Sequence, residues 1–183
     1  LSGNTVVFKP AQDTPKTAAS LVEIMMEAGV PEGVVNIVHG GGSEVGTAIV
    51  AHPDVDLISF TGSTMVGKQI SKDAADTLKR VSLELGGKNA QIVMDDADLD
   101  LALDGVLWGA FGTTGQRCTA TSRLIIHEKI YDKLMSMLVD RTKKLRLGDG
   151  LKPDTDVGPC VNESQRKTVE SYVEIGKKEG ATL

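Results

Sequence analysis

The amino-acid sequence predicts an α/β protein built around parallel strands. Two observations support this fold class. Short apolar runs alternate with helical patterns through the first 90 residues, an order that is typical of a parallel sheet with helices on its faces. Glycines follow several of the apolar runs, at the carboxyl ends of the predicted strands, where sheets of this kind bind their ligands.

The first half of the chain has the order β-α-β-α-β-α-β. The predicted elements are a strand at Thr5–Phe8, a helix from Pro15 with Thr14 as its N-cap, a strand in "VVNIVHG", a helix in "GSEVGTAIVAHP", a strand in "DLISF", a helix from Ser63 to about Leu78, and a strand in "RVSLEL". Gly29 and Pro31 are expected to stop the first helix. Pro53 ends the second, because the residue before a proline disfavours helical backbone.

The pattern changes after "LGGK", and we place a domain boundary near Gly86 and Gly87. The expected domains are therefore residues 1–86 and 87–183. The elements predicted for the second domain are a strand in "NAQIVM", a helix capped by Asp98, a strand in "RLIIH", a helix from Glu128 to about Leu147, and a helix from Glu163 to Lys178. The helix after Asp98 has one apolar face, formed by Leu99, Leu103, Val106, Leu107 and Ala110.

Composition narrows the class of protein. The 183 residues are 40% hydrophobic and carry a net charge of −5, with no basic stripe, so nucleic acid is not an expected partner. No apolar run approaches the roughly 18 residues of a membrane span, so no membrane partner is expected. The two cysteines are too few for a disulfide framework and indicate a reducing compartment, which we take to be the cytoplasm. The scattered histidines lack metal-ligand spacing, and no metal site is predicted.

The stretch "FTGSTMVGKQI" suggests a phosphate-binding turn. Its spacing of Gly62, Gly67 and Lys68 falls one residue short of a P-loop, because Gln69 stands where the magnesium-binding hydroxyl belongs. A nucleoside-triphosphate site is therefore disfavoured. What remains is a helix N-terminus, whose free N–H groups and partial positive charge suit a phosphate.

Two further residues are candidates for chemistry. Cys118 lies in the glycine-rich and hydroxyl-rich stretch "FGTTGQRCTATSR", whose polar flanks leave two alternatives open, a reactive thiol and a small buried apolar residue. Glu84 is a carboxylate inside the apolar strand "VSLELGGK", which suits a general base or, alternatively, an outward-facing strand residue. Cys160 has no comparable setting and is expected to be structural.

These stretches together resemble the aldehyde dehydrogenase superfamily. "LELGGKNA" is similar to the glutamate signature of that family and "FGTTGQRCTATSR" to its cysteine signature, with the family's spacing of 34 positions between Glu84 and Cys118. "GNTVVFKPAQDTP", "GVPEGVVNIVHGGG" and "FTGSTMVGKQI" match in the same order, so the resemblance covers all 183 residues. It implies a Rossmann-like parallel-sheet cofactor domain over 1–86, joined to part of an α/β catalytic domain over 87–183.

The resemblance also implies a mechanism and an NAD(P)-dependent activity. The Cys118 thiolate would attack the aldehyde carbonyl, with the Cys118 backbone N–H as one donor to the oxyanion. Hydride would pass to the nicotinamide and leave a thioester. Water activated by Glu84 would then hydrolyse the thioester to a carboxylic acid.

Cofactor contacts follow from the resemblance by position. Lys9 would hydrogen-bond the adenosine ribose, and Gly42 would lie near the adenine. Gly62 and Ser63 would meet the pyrophosphate, and the Leu85 carbonyl would help to place the nicotinamide.

Phe60, Thr61 and Gly67 complete the expected cofactor-binding set together with Gln12. Many NAD-preferring members of the family have glutamate where this chain has Gln12, and that carboxylate would repel a 2′-phosphate. A neutral Gln12, with Lys9 nearby, predicts tolerance of NADP alongside NAD.

The resemblance implies an aldehyde substrate, and "GQRCTATSRL" resembles the semialdehyde-oxidising branches, including 2-oxoglutarate semialdehyde dehydrogenases. Arg117 could favour an acidic substrate or serve in packing, and both alternatives stay open at this point. The family further implies a homodimer or homotetramer.

We interpret the chain as an internal segment of a longer polypeptide, because it opens on a strand pattern at Leu1 and ends in "KKEGATL". The family's asparagine donor to the oxyanion would precede Leu1, and its glutamate for the nicotinamide ribose would follow Leu183. The segment alone is therefore expected to be inactive. The alternatives are acyl transfer to coenzyme A by the same fold, and a non-catalytic nucleotide-binding relative.

Overall fold

The structure, a computed structural model, describes residues 3–183 and divides into two compact units. One unit ends at Leu85 and the other begins at Gly86. The strands are β1 Val6–Phe8, β2 Val35–Ile37, β3 Leu57–Gly62, β4 Arg80–Leu85, β5 Asn89–Val93 and β6 Thr121–Ile126. The helices are α1 Pro15–Glu27, α2 Thr47–Ala51, α3 Thr64–Ala75, α4 Leu99–Phe111, α5 Tyr131–Thr142 and α6 Glu163–Lys178.

The strands pair in parallel, which confirms the α/β class predicted from the alternation of apolar runs and helices. In the first unit β1 pairs with β2 and β3 pairs with β4, and in the second unit β5 pairs with β6. Within residues 3–183 no ladder joins β2 to β3, so the first unit contains two two-stranded sheets. The alternating pattern predicts strand direction but not strand order, because consecutive strands need not be neighbours.

Two predicted helices end earlier than expected, each for a local reason. Helix α3 stops at Ala75, because Leu78 adopts a left-handed φ of 54° and the Lys79 N–H turns back to the Ala74 carbonyl at 3.1 Å. Helix α5 stops at Thr142 because the following segment leaves the helix to pair with residues further on, where Leu147 forms a parallel bridge with Val157.

Helix α2 begins at Thr47 after the π-helical turn Gly42–Gly46, and α5 begins at Tyr131 after the 3-10 turn Glu128–Ile130, so each starts later than predicted. The starts of α1, α4 and α6 agree with the sequence. Helix α1 begins at Pro15 with Thr14 at the N-cap, although the Thr14 hydroxyl makes no capping hydrogen bond. Helix α4 begins after Asp98, whose carboxylate accepts from the Asp100 and Leu101 N–H groups at 3.0 and 3.1 Å. This carboxylate satisfies amides that the first turn of a helix leaves unpaired. Helix α6 spans the predicted residues.

The second unit has the larger apolar core. Val93 of β5, Leu103 and Leu107 of α4 and Leu134 of α5 form one buried cluster, and Leu134 is fully buried. This cluster fixes the position of α4 against β5. The segment between α4 and β6 is therefore attached at both ends to elements that pack against this core.

No helix in residues 3–183 is both long enough and apolar enough to cross a membrane. The same residues contain no group of three or more His, Cys, Asp or Glu side chains arranged to hold a metal ion.

Candidate active site

The carboxyl ends of β3 and β4 bring several predicted residues together in the first unit. In the parallel register Thr61 is paired with Glu84 and Gly62 with Leu85. Ser63 follows directly and is the N-cap of α3. Because carboxyl ends of parallel strands are where ligands of α/β sheets bind, this is the expected place for the phosphate-facing turn.

The absence of a side chain at Gly62 lets the Phe60 ring pack directly against the backbone of this turn. A β-carbon added there would overlap the ring of Phe60, which lies on the same face of β3. Ser63 Oγ accepts from the Val66 N–H at 3.3 Å, so α3 is capped, while other N–H groups of its first turn have no intrahelical partner. The geometry suits the close approach of an anionic group such as a dinucleotide phosphate.

Gly67 serves the packing of α3 on β4. It is buried, and a β-carbon there would lie 2.8 Å from Leu85 Cδ2 and 3.5 Å from Leu83 Cδ1. The missing side chain lets the first turns of α3 approach β4 closely. The contact fixes the end of β4, and with it the Leu85 backbone expected at the nicotinamide.

Lys9, Gln12 and Gly42 are gathered around one loop. Lys9 Nζ donates to the carbonyl oxygens of Pro10 at 2.9 Å and Gly40 at 3.3 Å. Gln12 Nε2 lies 3.7 Å from the position that a β-carbon on Gly41 would take. Gly42 begins a π-helical turn, Gly42–Gly46, and space for a β-carbon is open there.

Glu84 is exposed near the end of β4, where the burial of successive residues alternates. Ser82 and Glu84 are exposed, while Val81, Leu83 and Leu85 are partly buried. The outward-facing alternative of the sequence analysis therefore describes the strand. An exposed carboxylate can still receive a proton from water, which is the act that a general base performs.

Cys118 lies in a turn of the second unit, and its side chain is exposed, whereas Cys160 is partly buried. Both thiols are free. The turn is closed by the Ala120 N–H, which donates to the Arg117 carbonyl at 3.0 Å. Within residues 3–183 the Cys118 N–H has no hydrogen-bond acceptor, so this donor is available to an incoming oxyanion.

The backbone before Cys118 is strained. Thr113 and Thr114 have left-handed φ values of 51° and 56°, which are outliers for β-branched residues. Gly115 continues with φ 67°, and a β-carbon there would overlap the Ala110 carbonyl oxygen. Strain of this kind persists only where the surroundings hold it, and it is concentrated at functional sites.

Sequence reasoning missed one residue beside the candidate nucleophile. Asn89, the first residue of β5, donates from Nδ2 to the Cys118 carbonyl at 2.7 Å and to the Ala120 carbonyl at 3.1 Å. The available signal was a polar residue at the start of the apolar run "NAQIVM", within the stretch "LELGGKNA" that is similar to the glutamate signature.

The chain belongs to the aldehyde dehydrogenase family, whose sequence model matches residues 1–183. It is 47% identical over 182 residues to a betaine aldehyde dehydrogenase of Bacillus subtilis (strain 168), covering 100% of this chain and 37% of that protein. It is 51% identical over 184 residues to a 2,5-dioxopentanoate dehydrogenase of Saccharolobus solfataricus, covering 100% of this chain and 38% of that protein.

A solved structure agrees with this assignment. The crystal structure of betaine aldehyde dehydrogenase from Staphylococcus aureus in complex with NAD+ matches with a TM-score of 0.95 and 44% identity, over 100% of this chain and 36% of that one. The α/β fold predicted from the sequence is therefore confirmed, and so is the family. The chain spans a little over a third of the length of the relatives it matches.

Proposed function

We propose that this chain carries the nucleophile and the general base of an NAD(P)-dependent aldehyde oxidation, as part of a longer enzyme. Cys118 is the nucleophile and Glu84 the base. The observation that carries the proposal is the turn at Cys118, where an exposed thiol belongs to the same residue as an amide N–H that has no acceptor among residues 3–183.

The Cys118 thiolate attacks the aldehyde carbon, forming a carbon–sulfur bond and an alkoxide. The Cys118 N–H donates to that alkoxide and stabilises the charge as it develops. The nicotinamide, when bound, supplies the acceptor for the hydride that leaves this carbon. The carbon is then a thioester on Cys118.

Glu84 completes the reaction by taking a proton from a water molecule as the water oxygen attacks the thioester carbon. The carbon–sulfur bond breaks, the Cys118 thiolate is regenerated and the carboxylic acid leaves. Two residue types are needed because the covalent intermediate divides one difficult oxidation into an attack by sulfur and an attack by water.

Cofactor binding is assigned to the first unit, and the thiol to the second. The turn at Gly62 and Ser63 is the pyrophosphate site, supported by its place at the carboxyl ends of β3 and β4 and by the capped N-terminus of α3. Lys9 and Gln12 are assigned to the adenosine ribose, supported by their positions beside the loop that contains Gly40 and Gly41.

The neutral Gln12 supports the use of NADP as well as NAD. Gln12→Glu would place a carboxylate beside the ribose, where it repels a 2′-phosphate. We expect this variant to lower kcat/KM for NADP by at least tenfold and to change kcat/KM for NAD much less. An unchanged ratio of the two cofactors would contradict this part of the proposal.

The substrate we propose is an acidic semialdehyde such as 2-oxoglutarate semialdehyde. This compound is 2,5-dioxopentanoate, the substrate in the name of the relative with 51% identity. Comparing kcat/KM for 2,5-dioxopentanoate and betaine aldehyde tests the choice. Preference for betaine aldehyde would reject the acidic substrate without rejecting aldehyde oxidation.

We also propose that the intact enzyme is a homodimer or homotetramer in the cytoplasm. The two free thiols are consistent with a reducing compartment. Light scattering of the purified enzyme would test the first point, and a monomer would contradict it.

The proposed function is tested by the formation of NADH or NADPH when an aldehyde is added to the intact enzyme. Cys118→Ser should abolish activity, and Glu84→Gln should lower the steady-state rate by about 10²-fold or more. Cys160→Ser is the matched control and should leave the rate within twofold. Full activity of Cys118→Ser would reject the proposal.

A further inference from the structure

One side chain holds both carbonyls of the turn that carries the thiol. Asn89 Nδ2 donates to Cys118 O at 2.7 Å and to Ala120 O at 3.1 Å, so both hydrogens of its amide are used. The turn between these carbonyls has one backbone hydrogen bond of its own, from the Ala120 N–H to Arg117 O. Asn89 therefore ties the turn to β5.

A β-bulge lies directly beside Asn89, at the start of the β5–β6 pair. Asn89 is paired with Thr121, but the next residue, Ala90, is paired with Arg123, so Ser122 is extra in β6. Bulges redirect side chains and are frequent beside active sites. The start of β5 is fixed further by Arg123 Nε, which donates to the Lys88 carbonyl at 3.0 Å.

The segment that leads to the thiol also needs support from neighbouring elements. The left-handed backbone at Thr113 and Thr114 is unfavourable by itself and must be held by neighbouring contacts. On the side of α4, Arg117 Nη2 donates to the Trp108 carbonyl at 2.9 Å. On the side of β5, the two bonds from Asn89 hold the residues after the thiol.

We propose that Asn89 is a positioning residue for the nucleophile. It holds the Cys118–Ala120 turn in one conformation. The Cys118 thiol and the Cys118 N–H then keep fixed positions relative to the aldehyde carbonyl group on which both act. This role rests on the proposed function for its effect on catalysis. The anchoring of the turn itself does not depend on that function.

Hydrogen exchange of the intact enzyme tests the anchor directly. In Asn89→Ala and Asn89→Asp the Ala120 amide should exchange at least tenfold faster, because the turn loses its link to β5. Asn36→Asp is the matched control, since Asn36 Nδ2 also donates to two backbone carbonyls, Gly33 O at 2.8 Å and Val6 O at 3.4 Å. An Ala120 exchange rate within twofold of the wild type in both Asn89 variants would overturn the anchor.

Kinetics of the intact enzyme test the positioning role. Asn89→Asp should lower kcat at least tenfold and leave the KM for NAD within twofold. The kcat is expressed per NAD-binding site titrated by calorimetry, because unfolded enzyme lowers an uncorrected kcat at unchanged KM. Asn36→Asp should leave kcat within twofold. An unchanged kcat in Asn89→Asp would overturn the positioning role, whatever the exchange rates show.

Failure of the proposed function can be distinguished from failure of the proposal for Asn89. If the wild-type enzyme oxidises no aldehyde but the Ala120 exchange still rises in the Asn89 variants, the proposed function fails and the anchor stands. If the wild type is active and neither exchange nor kcat responds to Asn89, the proposal for Asn89 fails and the proposed function stands.

Discussion

The guanidinium of Arg117 lies 3.6 Å from the centroid of the Trp108 ring and donates from Nη2 to the Trp108 carbonyl at 2.9 Å. Both contacts join the residue before the candidate nucleophile to the last turns of α4. Of the two alternatives that the sequence left for Arg117, this geometry favours packing over recognition of an acidic substrate.

Replacement of Arg117 by methionine should therefore destabilise the second unit without changing substrate selectivity. A cation–π contact and a charged hydrogen bond are together worth about 2 kcal/mol. The buried Nε of Arg117 has no partner in residues 3–183, so its removal offsets part of the loss. We expect a net loss of about 1 kcal/mol in a urea unfolding series.

Substrate selectivity is measured as the ratio of kcat/KM for an acidic aldehyde to kcat/KM for a neutral one. It should stay within twofold in Arg117→Met. A tenfold fall in the preference for the acidic aldehyde would show that the guanidinium contacts the substrate, and would contradict the packing role.

Gly62 offers a test of the phosphate turn. In Gly62→Ala the new β-carbon overlaps the Phe60 ring, and the ring or the turn must move. We expect the Kd for NAD, measured by calorimetry, to rise about tenfold or more. Gly150→Ala is the control, because no described residue lies within 4 Å of a β-carbon there. Equal Kd values for Gly62→Ala and the wild type would remove Gly62 from the cofactor site.

Acid sensitivity of the second unit should depend on Asp156. The side-chain hydrogen bonds from Arg146 lower the pKa of Asp156 from 3.8 to about 2, with a further bond from the Arg146 N–H at 2.9 Å. A carboxylate whose pKa is lower in the folded protein contributes its full stabilisation at pH values above its pKa in the unfolded chain. That contribution is lost as the pH falls from about 4 to about 2.

Thermal unfolding between pH 2 and pH 5 measures this contribution. The Tm of the wild type should fall more steeply with acid than the Tm of Asp156→Asn, and the two curves should converge near pH 2. Asp154→Asn, at an exposed neighbouring position, is the control and should follow the wild type. Parallel curves for the wild type and Asp156→Asn would contradict the account.

The sequence was informative where local rules decide the structure. Pro15 at the start of α1, Asp98 as a side-chain cap and the apolar face of α4 each follow from residues within one or two turns of chain. The early end of α5 was not predictable in this way, because it depends on pairing between Leu147 and Val157, ten positions apart.

The same distinction between nearby and distant residues applies to the candidate site. Cys118 and Glu84 were predicted from signatures that are continuous in the sequence. The roles of Asn89 and Trp108 were not, because each acts through a contact with a residue distant in the chain. Asn89 reaches the Cys118 carbonyl across 29 positions, and Trp108 is reached by Arg117 across nine.

The most direct test of the central claim is to trap the covalent intermediate on Cys118. Glu84→Gln in the intact enzyme, mixed with aldehyde and NAD, should slow hydrolysis more than acylation. Mass spectrometry of its peptides should then find the acyl group of the aldehyde on Cys118. An acyl group on another residue, or rapid turnover of Glu84→Gln with no adduct at Cys118, would contradict the assignment of the nucleophile and the base.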